Sequence, residues 1–304
     1  MPLIEYDPKA LRDMFGKPIR PTIDLSLPDI AMQAQKMAGK LSISGVQPKL
    51  SVALDGERLV PVQRSGQFIL KPQTQEFPEL PQNEYLSMRM GRLFGLRTAS
   101  CLLLELADGS PAFLVKRFDR YKEGHRLEKL PCEDMQQILG KRDKYDGSHE
   151  QIAGAIRQHC TFAPLEMQRL FEITLLNFAI GNGDAHMKNF SLLTDKEGNI
   201  ALSPTYDLVS SRLVIPNEAD EMALTINGKR NNLRRKDFLA FAKHIEIEQF
   251  YADRRLQDLL DLRDKFSEMI ASSMLSQSLR ASLDGVLMSR LERLSLDSQQ
   301  ERSS

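Results

Sequence analysis

The stretch that most limits how this chain can fold is NFAIGNGDAHMKNFSLL, residues 177 to 193. It ends a segment whose apolar residues are dense enough to predict a helix buried on most sides: Leu170, Ile173, Leu176, Phe178 and Ile180. Two glycines, Gly181 and Gly183, then stop that helix, because glycine favours the conformations that end helices. A loop must follow, and it presents Asp184 and Asn189.

The spacing of these two polar residues is that of a phosphotransferase loop. Asp184 and Asn189 stand in the order D-x-x-x-x-N, as in the catalytic loop of protein kinases. Phosphoryl transfer needs a carboxylate that accepts the proton of the attacking hydroxyl, and a neutral amide oxygen nearby binds Mg²⁺ without competing for that proton. Asp207, at the end of the next β-like run, would add an anionic Mg²⁺ ligand. Taken singly, each aspartate is equally well explained as a cap or turn residue.

A kinase also needs a cation on the α- and β-phosphates of ATP, and Lys71 is the candidate. It closes the apolar run QFILKP, where a buried lysine requires a partner. Glu84, at the start of a predicted helix, could be that partner, although an acid in a first helical turn also suits the helix dipole. The alternative is an exposed lysine at a strand end beside Pro72.

Hydrophobic and turn patterns divide the chain into four segments: residues 1–40, 41–118, 119–296 and 297–304. The first is a proline-punctuated lead-in with one short helix near DIAMQAQKMAG, and the last is a polar tail. The second holds the short β-type runs KLSVAL, RLVPVQ, QFILKP, SCLLLELA and AFLVKRF, and after it the β texture fades into helical patterns. We therefore predict an α+β chain with a small β-rich lobe and a larger helical lobe.

Two features inside the β-rich segment predict its local geometry. The D-G pairs at Asp55 and Asp108 favour tight hairpin turns. In the single predicted helix, NEYLSMRMGRLFGL, apolar residues at helical spacing share one face, and Gly95 supplies a C-cap. The residues of that face are Leu86, Met90, Leu93 and Phe94.

Composition excludes several classes of protein. The 304 residues carry 41 basic and 41 acidic side chains, so no global charge attracts nucleic acid or an anionic membrane. Three cysteines without C-x-x-C spacing suggest neither a disulfide framework nor a zinc site. The N-terminus has no apolar signal segment, and no apolar run approaches the length of a membrane span. We expect a soluble cytoplasmic protein with no membrane association.

Six segments together resemble the HipA family of bacterial toxin serine/threonine kinases: FILKPQ, NEYLSMRMGRLFGL, FLVKRFDR, LPCEDMQQILG, GDAHMKNFSLL and LSPTYDLVS. The resemblance runs from about residue 41 to about residue 245, and its last two segments are the most specific. It implies a bilobal protein-kinase-like fold, dependence on ATP and Mg²⁺, and toxin activity. It also implies that Asp184 is the catalytic base, that Asn189 and Asp207 bind Mg²⁺, and that Lys71 binds phosphate.

The resemblance further implies a set of nucleotide contacts. Lys116, Arg117 and Phe118 would form the hinge that meets adenine. Members of the family often have glutamate where Lys116 stands, but hinge contacts use mainly backbone groups. His186 and Lys188 belong to the loop beside the nucleotide, and His186 is expected to order that loop by hydrogen bonding.

The segment LSISGVQPKL, residues 41 to 50, takes its meaning from the same resemblance. Alone it fits either an ordinary turn or a loop whose backbone amides hold phosphate. In the HipA family this position is the glycine-rich loop, whose nucleotide contacts here would be Ser42, Ser44, Gly45, Val46 and Gln47. The family also autophosphorylates a serine in this loop, so Ser42 and Ser44 are two candidate sites.

The resemblance also suggests partners. Only about forty residues precede the loop, as in the short form HipT of three-component systems. That form implies a small HipS-like antitoxin, a HipB-like DNA-binding protein, and an aminoacyl-tRNA synthetase as substrate, with tRNA possible on that substrate. It implies no specific DNA binding by this chain itself. Two alternatives stay open: a small-molecule phosphotransferase, and a nucleotide-binding scaffold in a repressor complex.

One basic cluster has no place in the kinase pattern. Five basic side chains lie between Lys229 and Lys236 in a chain of zero net charge. They could form a solvated loop that enters a helix, or a patch that contacts the phosphates of a tRNA carried by the substrate.

Overall fold

The computed structural model describes residues 6–38, 47–63, 66–124, 126–215 and 218–295. The chain divides into two compact units: Met1–Tyr85 with Ala99–Lys129, and Leu86–Thr98 with Leu130–Ser304. Within the described part of the chain, no helix is both long enough and apolar enough to cross a membrane.

The first unit contains a five-stranded antiparallel sheet in the order β2-β1-β3-β5-β4. Its strands are β1 (Leu50–Asp55), β2 (Arg58–Pro61), β3 (Phe68–Pro72), β4 (Cys101–Glu105) and β5 (Pro111–Lys116). Gly56 and Gly109 turn the two predicted hairpins with φ of 61° and 79°. Such values favour glycine, so the D-G prediction is confirmed at both turns.

Two helices in the first unit precede the sheet, α1 (Pro8–Phe15) and α2 (Leu27–Ala38). The sequence predicted only the second, so the description of an irregular lead-in with one helix was wrong for α1. Asp7 caps α1 by accepting the Lys9 N–H at 2.9 Å. Proline is compatible with the first helical position, and Leu11 and Met14 join the buried core of this unit.

A buried ion pair connects β3 to α3 (Leu80–Leu93) within the first unit. Lys71 Nζ lies 2.6 Å from Glu84 Oε1, and the two residues are only 5% and 3% exposed. The Lys71 ammonium also lies 5.6 Å from the centroid of the Phe113 ring. Two charges so far from water are tolerated because each neutralises the other.

The rest of α3 and the turn after it belong to the second unit. Of the four residues that the spacing put on one face, Leu86, Met90 and Phe94 are buried, whereas Leu93 is 39% exposed. Helical spacing gives the direction of a side chain but not whether another element covers the helix end. Gly95 ends the turn with φ of 95°, and its N–H donates to the Arg92 carbonyl at 3.1 Å.

A β-hairpin of the first unit contradicts the expectation that β structure fades after residue 119. It consists of β6 (Arg120–Glu123) and β7 (Arg126–Lys129), and a third unexpected strand, β8 (Cys132–Asp134), follows in the second unit. Both hairpin strands are rich in charged residues and bury little side chain, so they carry no alternating apolar signal.

The second unit is mainly helical and contains one small sheet. Its further helices are α4 (Met135–Ile138), α5 (His149–His159), α6 (Ala163–Ala179), α7 (Arg235–His244), α8 (Gln249–Asp261), α9 (Arg263–Ala271) and α10 (Gln277–Ser295). The sheet has the order β10-β9-β8, with β9 at Ser191–Thr194 and β10 at Ile200–Leu202. Strands β9 and β10 pair as an antiparallel hairpin, and β9 also pairs with β8.

Helix α6 is the buried helix that the sequence predicted. Leu170, Leu176 and Phe178 are completely buried, and the helix ends at Ala179. Gly181 follows with φ of 69°, which turns the chain out of the helix direction.

His149, the first residue of α5, lies in the core of the second unit. It is fully buried, and its ring packs edge-on against Phe190 and Phe241 at centroid distances of 5.8 and 6.0 Å. Burial lowers the pKa of His149 to about 4, although a contact with the Thr225 carbonyl opposes this. The folded unit therefore contains the neutral imidazole at neutral pH.

We expect His149 to make folding sensitive to mild acid. Below pH 6.5 the unfolded histidine takes up a proton, whereas the native ring does so only near pH 4. The free energy of unfolding therefore decreases as the pH is lowered from 6.5 to about 4. Between pH 7 and pH 5 the wild-type protein should lose about 2 kcal/mol more stability than the His149→Gln variant. Urea unfolding at both pH values measures this difference, and equal losses would contradict the assignment.

The buried ion pair gives a second stability prediction. Lys71→Met or Glu84→Leu alone leaves one buried charge without its ion-pair partner and should cost about 3–5 kcal/mol in unfolding free energy. The double variant removes both charges, so most of that loss should be recovered. Urea unfolding of the wild type, the two single variants and the double variant measures the coupling energy between Lys71 and Glu84. A double variant as unstable as the two single losses added together would rule out a coupled pair.

Candidate functional site

The loop after α6 is fixed by buried side-chain amides. Asn182 donates from Nδ2 to Asn177 Oδ1 at 2.9 Å, and both residues are almost completely buried. Asn182 Oδ1 in turn accepts the Asp184 N–H at 3.3 Å. The His186 N–H donates to the Asp184 carbonyl at 2.8 Å. Both the N–H and the carbonyl of Asp184 are therefore hydrogen-bonded.

The glycine before Asp184 leaves space for the Glu218 side chain to pack against it. A Cβ at Gly183 would lie 2.5 Å from the carboxylate of Glu218. The Gly183 N–H donates to Ser211 Oγ at 2.7 Å, and Ser211 donates to Glu218 Oε2 at 2.6 Å. Burial, with a smaller effect from the charge of Asp184, raises the pKa of Glu218 above its ordinary value, although Ser211 and Arg212 oppose this.

The structure brings the two predicted metal ligands together. Asn189 Nδ2 donates to Asp207 Oδ2 at 3.1 Å, and Asn189 Oδ1 accepts the His186 N–H at 3.0 Å. Asp207 does not end a strand, as the sequence had suggested, because β10 stops at Leu202 and Pro204 has no N–H to extend a ladder. Asp207 instead adopts φ of 59°, an uncommon conformation for a residue with a side chain.

The chemistry of this pair fits Mg²⁺ that arrives with phosphates. Mg²⁺ prefers oxygen ligands and is usually held by one or two carboxylates together with substrate phosphates. Asp207 offers the carboxylate, and a half-turn of the Asn189 amide would exchange its nitrogen for its oxygen. Among the described residues no group of three or more His, Cys, Asp or Glu side chains could hold a metal ion.

Tyr206, which the sequence analysis missed, precedes one predicted metal ligand and contacts residues on both sides of the other, Asn189. The Tyr206 hydroxyl donates to the Lys188 carbonyl at 2.6 Å and lies 2.6 Å from Ser191 Oγ. These contacts flank Asn189, while Tyr206 itself precedes Asp207. Burial raises the pKa of Tyr206, so its hydroxyl stays protonated and able to donate.

A second missed tyrosine contacts the predicted base directly. The Tyr145 hydroxyl donates to Asp184 Oδ1 at 2.6 Å. The two residues are separated by 39 positions, so no local pattern could have paired them. The Tyr145 ring also meets the His186 ring edge-on at 5.4 Å.

The other predicted residues of this loop differ in their surroundings. His186 is largely buried, and burial lowers its pKa. Its Nδ1 has no hydrogen-bond partner within the described ranges. Lys188 is half-exposed, with Nζ 4.0 Å from the Asp134 carboxylate. The contact that orders the loop is thus made by the His186 backbone N–H.

The predicted hinge residues lie inside the first unit, at the end of β5. The Lys116 Nζ donates to the Asp13 carbonyl at 2.9 Å, near the end of α1. The Arg117 N–H donates to the Gln67 carbonyl at 2.9 Å. A side-chain contact between Lys116 and a nucleotide would require Lys116 to leave α1. Phe118 follows in the same unit.

The predicted glycine-rich loop lies mostly outside the described residues, as do Ser42, Ser44, Gly45 and Val46. Gln47 is described, and its Nε2 donates to the Pro72 carbonyl at 2.9 Å. The structure thus places Gln47 beside the residue that follows Lys71.

The basic cluster between Lys229 and Lys236 forms ion pairs within the second unit. Lys229 pairs with Asp237 at 2.6 Å, Arg230 with Asp220 at 3.4 Å, and Arg235 with Asp253 at 2.6 Å. These carboxylates neutralise three of the five charges, which favours the structural interpretation over a phosphate-binding patch.

Comparison with known proteins places the chain in a family. A family model described as the HipA-like C-terminal domain matches residues 41–270. A predicted kinase of Haemophilus influenzae is 28% identical over 88% of this chain and 84% of its own length. A predicted kinase of Sinorhizobium fredii is 33% identical over 78% of this chain.

The serine/threonine-protein kinase toxin HipA of Shewanella oneidensis is 28% identical over 56% of this chain. This chain spans 58% of the Sinorhizobium protein just described and 43% of the Shewanella toxin. Several relatives are thus considerably longer than the region they share with it.

Two solved structures share the fold. One is HipA in the Shewanella oneidensis toxin–antitoxin complex with HipB and operator DNA, with a TM-score of 0.69 and 23% identity over 84% of this chain and 65% of that one. The other is the Helicobacter pylori proinflammatory kinase CtkA, with a TM-score of 0.53 and 15% identity over 80% of this chain and 90% of that one. The predicted α+β protein-kinase-like fold of HipA type is confirmed, and the chain belongs to the family of HipA-like C-terminal domains.

Proposed function

We propose that this chain is an ATP-dependent serine/threonine protein kinase with toxin activity. The observation that carries the proposal is the convergence of Asp184, Asn189 and Asp207 around one loop of the second unit. Asn189 and Asp207 are in contact, and Asp184 belongs to the same hydrogen-bonded turn. Phosphoryl transfer requires a carboxylate base near an amide–carboxylate pair that can bind Mg²⁺.

In this proposal each residue has one task. Asp184 accepts the proton of the acceptor hydroxyl while that oxygen attacks the γ-phosphorus, and the bond to ADP breaks. Asn189 and Asp207 would hold the Mg²⁺ that neutralises the phosphate charges. Lys71, oriented by Glu84, would bind the α- and β-phosphates of ATP.

Backbone groups would make the remaining nucleotide contacts. The loop before Lys71 would hold phosphate through Ser42, Ser44, Gly45, Val46 and Gln47. Lys116, Arg117 and Phe118 would meet adenine through their main chain. His186 and Lys188 would border the nucleotide from the catalytic loop.

The proposed biological role is based on the chain's similarity to HipA proteins. We propose that the acceptor is a protein hydroxyl, on an aminoacyl-tRNA synthetase with or without tRNA, so that translation and growth stop. One structural neighbour is HipA in a complex with HipB and operator DNA, which supports a HipB-like partner here. A HipS-like small antitoxin is proposed from the short form of the family, and a pull-down of the purified proteins tests it.

Transfer should depend on Asp184. Incubation of the purified chain with ATP and Mg²⁺ should add phosphate to protein, and Asp184→Asn should slow this by about 10²–10⁴-fold because no carboxylate accepts the proton. Intact mass, peptide mapping of residues 41 to 50 and labelling of a cell lysate measure it. Transfer that continues unchanged in Asp184→Asn would contradict the role of this residue. A labelled metabolite without labelled protein would favour a small-molecule phosphotransferase.

Phosphorylation at Ser42 or Ser44 should inhibit the enzyme. A phosphoserine would add nearly two negative charges to the loop that is proposed to hold the phosphates of ATP. Ser42→Asp and Ser44→Asp should therefore transfer less phosphate to substrate than the matching alanine variants. Ser278→Asp, on the exposed first turn of α10, controls for added charge. Equal rates for aspartate and alanine variants at both positions would refute self-inhibition.

A further inference from the structure

We propose that Tyr145 is a positioning residue that holds the carboxylate of Asp184 in the orientation needed for phosphoryl transfer. The inference rests on the proposed function of Asp184 as the base. Its central observation is the hydrogen bond from the Tyr145 hydroxyl to Asp184 Oδ1, which is 2.6 Å long. Hydrogen bonds of this length to an ionised carboxylate are among the stronger ones in proteins.

The hydroxyl is a reliable donor. Burial, the hydrogen bond to Asp184 and the negative charge of that carboxylate all raise the pKa of Tyr145 above its ordinary value. The phenol therefore stays protonated at neutral pH, and its single proton is donated to the Asp184 carboxylate.

The backbone around Tyr145 is itself held in place. The Arg230 Nη2 donates to the Tyr145 carbonyl at 2.9 Å, and Arg230 also pairs with Asp220. The Tyr145 N–H donates to Asp143 Oδ1 at 3.0 Å. The Lys144 ammonium lies 4.7 Å from the centroid of the Tyr145 ring. The phenol thus has few alternative positions and can transmit a fixed geometry to the carboxylate.

The segment that carries Tyr145 packs directly on the catalytic loop. The Met187 N–H donates to the Lys144 carbonyl at 3.1 Å. A Cβ at Gly147 would lie 1.7 Å from the Met187 methyl group, so the Met187 side chain packs directly against the Gly147 backbone. The His186 ring meets the Tyr145 ring edge-on. Because both segments share these contacts, Tyr145 and Asp184 are placed by the same packing.

The consequence concerns rotation of the carboxylate. A hydrogen bond to Oδ1 restricts rotation of the Asp184 side chain and leaves Oδ2 to accept the proton of the acceptor hydroxyl. Catalysis depends steeply on such orientation, because a base displaced by about 1 Å can cost about 10²-fold in rate. Tyr145 would therefore act on the chemical step and not on the binding of ATP.

The test is the Tyr145→Phe variant, which removes one oxygen and keeps the ring. We expect kcat to fall about tenfold to hundredfold, as for other lost hydrogen bonds to a charged group, with the KM for ATP unchanged. Tyr251→Phe is the matched control. Its hydroxyl also donates to a carboxylate at 2.6 Å, but that carboxylate belongs to Glu172 of α6, in the same unit. This control should leave kcat unchanged while any effect on the urea midpoint is compared between the two variants.

A double variant separates positioning from general structural support. If Tyr145 acts through Asp184, then Tyr145→Phe should lower the rate no further once Asp184→Asn is present. A wild-type kcat in Tyr145→Phe, or a higher one, would overturn the proposal, and a higher one would mean that the phenol blocks the acceptor. If Tyr145→Phe keeps the wild-type kcat while Asp184→Asn is slowed, only the role of Tyr145 is contradicted. If Asp184→Asn is also as active as the wild type, the proposed role of Asp184 as the base is contradicted as well.

Discussion

The second unit depends on the burial of α6 and on the point where that helix stops. Phe178 is completely buried near the helix end, against the Phe238 ring at 5.0 Å and beneath the Arg290 guanidinium at 4.7 Å. A helix packed this densely has little freedom to shift along its axis. Gly181 then reverses the chain, so the loop with Asp184 starts from a fixed position.

Ion pairs that are largely shielded from water orient side chains in both units. In the first unit Glu84 fixes the ammonium of Lys71. In the second unit Glu221 accepts Arg290 and Arg293 at 2.7 and 2.6 Å. Burial opposes ionisation of Glu221, but these two arginines hold its pKa below the ordinary value. Such pairs add little net stability compared with apolar residues, so their value lies in the geometry they impose.

The local features of both units follow from sequence. The D-G turns, the buried α6 and the glycine stop after it are short-range effects, and the D-x-x-x-x-N spacing identified the loop that carries Asp184 and Asn189. Two elements were not predicted, for different reasons. Helix α1 has the local signals of a helix, namely the Asp7 N-cap, Pro8 at its first position and Gly16 in the left-handed region at its end, but it is only 8 residues long. The hairpin of β6 and β7 is covered with charge and has no alternating apolar pattern.

What only the tertiary structure decided is which side chains meet. Sequence order placed Asp207 after Asn189, but its positive φ and its contact with Asn189 depend on the course of the chain after β10. Tyr206 and Tyr145 reach the loop through hydroxyl groups whose partners are distant in sequence. Sequence by itself determined the residues available for chemistry, because short-range spacing fixes loops and caps. Folding decided their partners, because a hydrogen bond depends on distance in space.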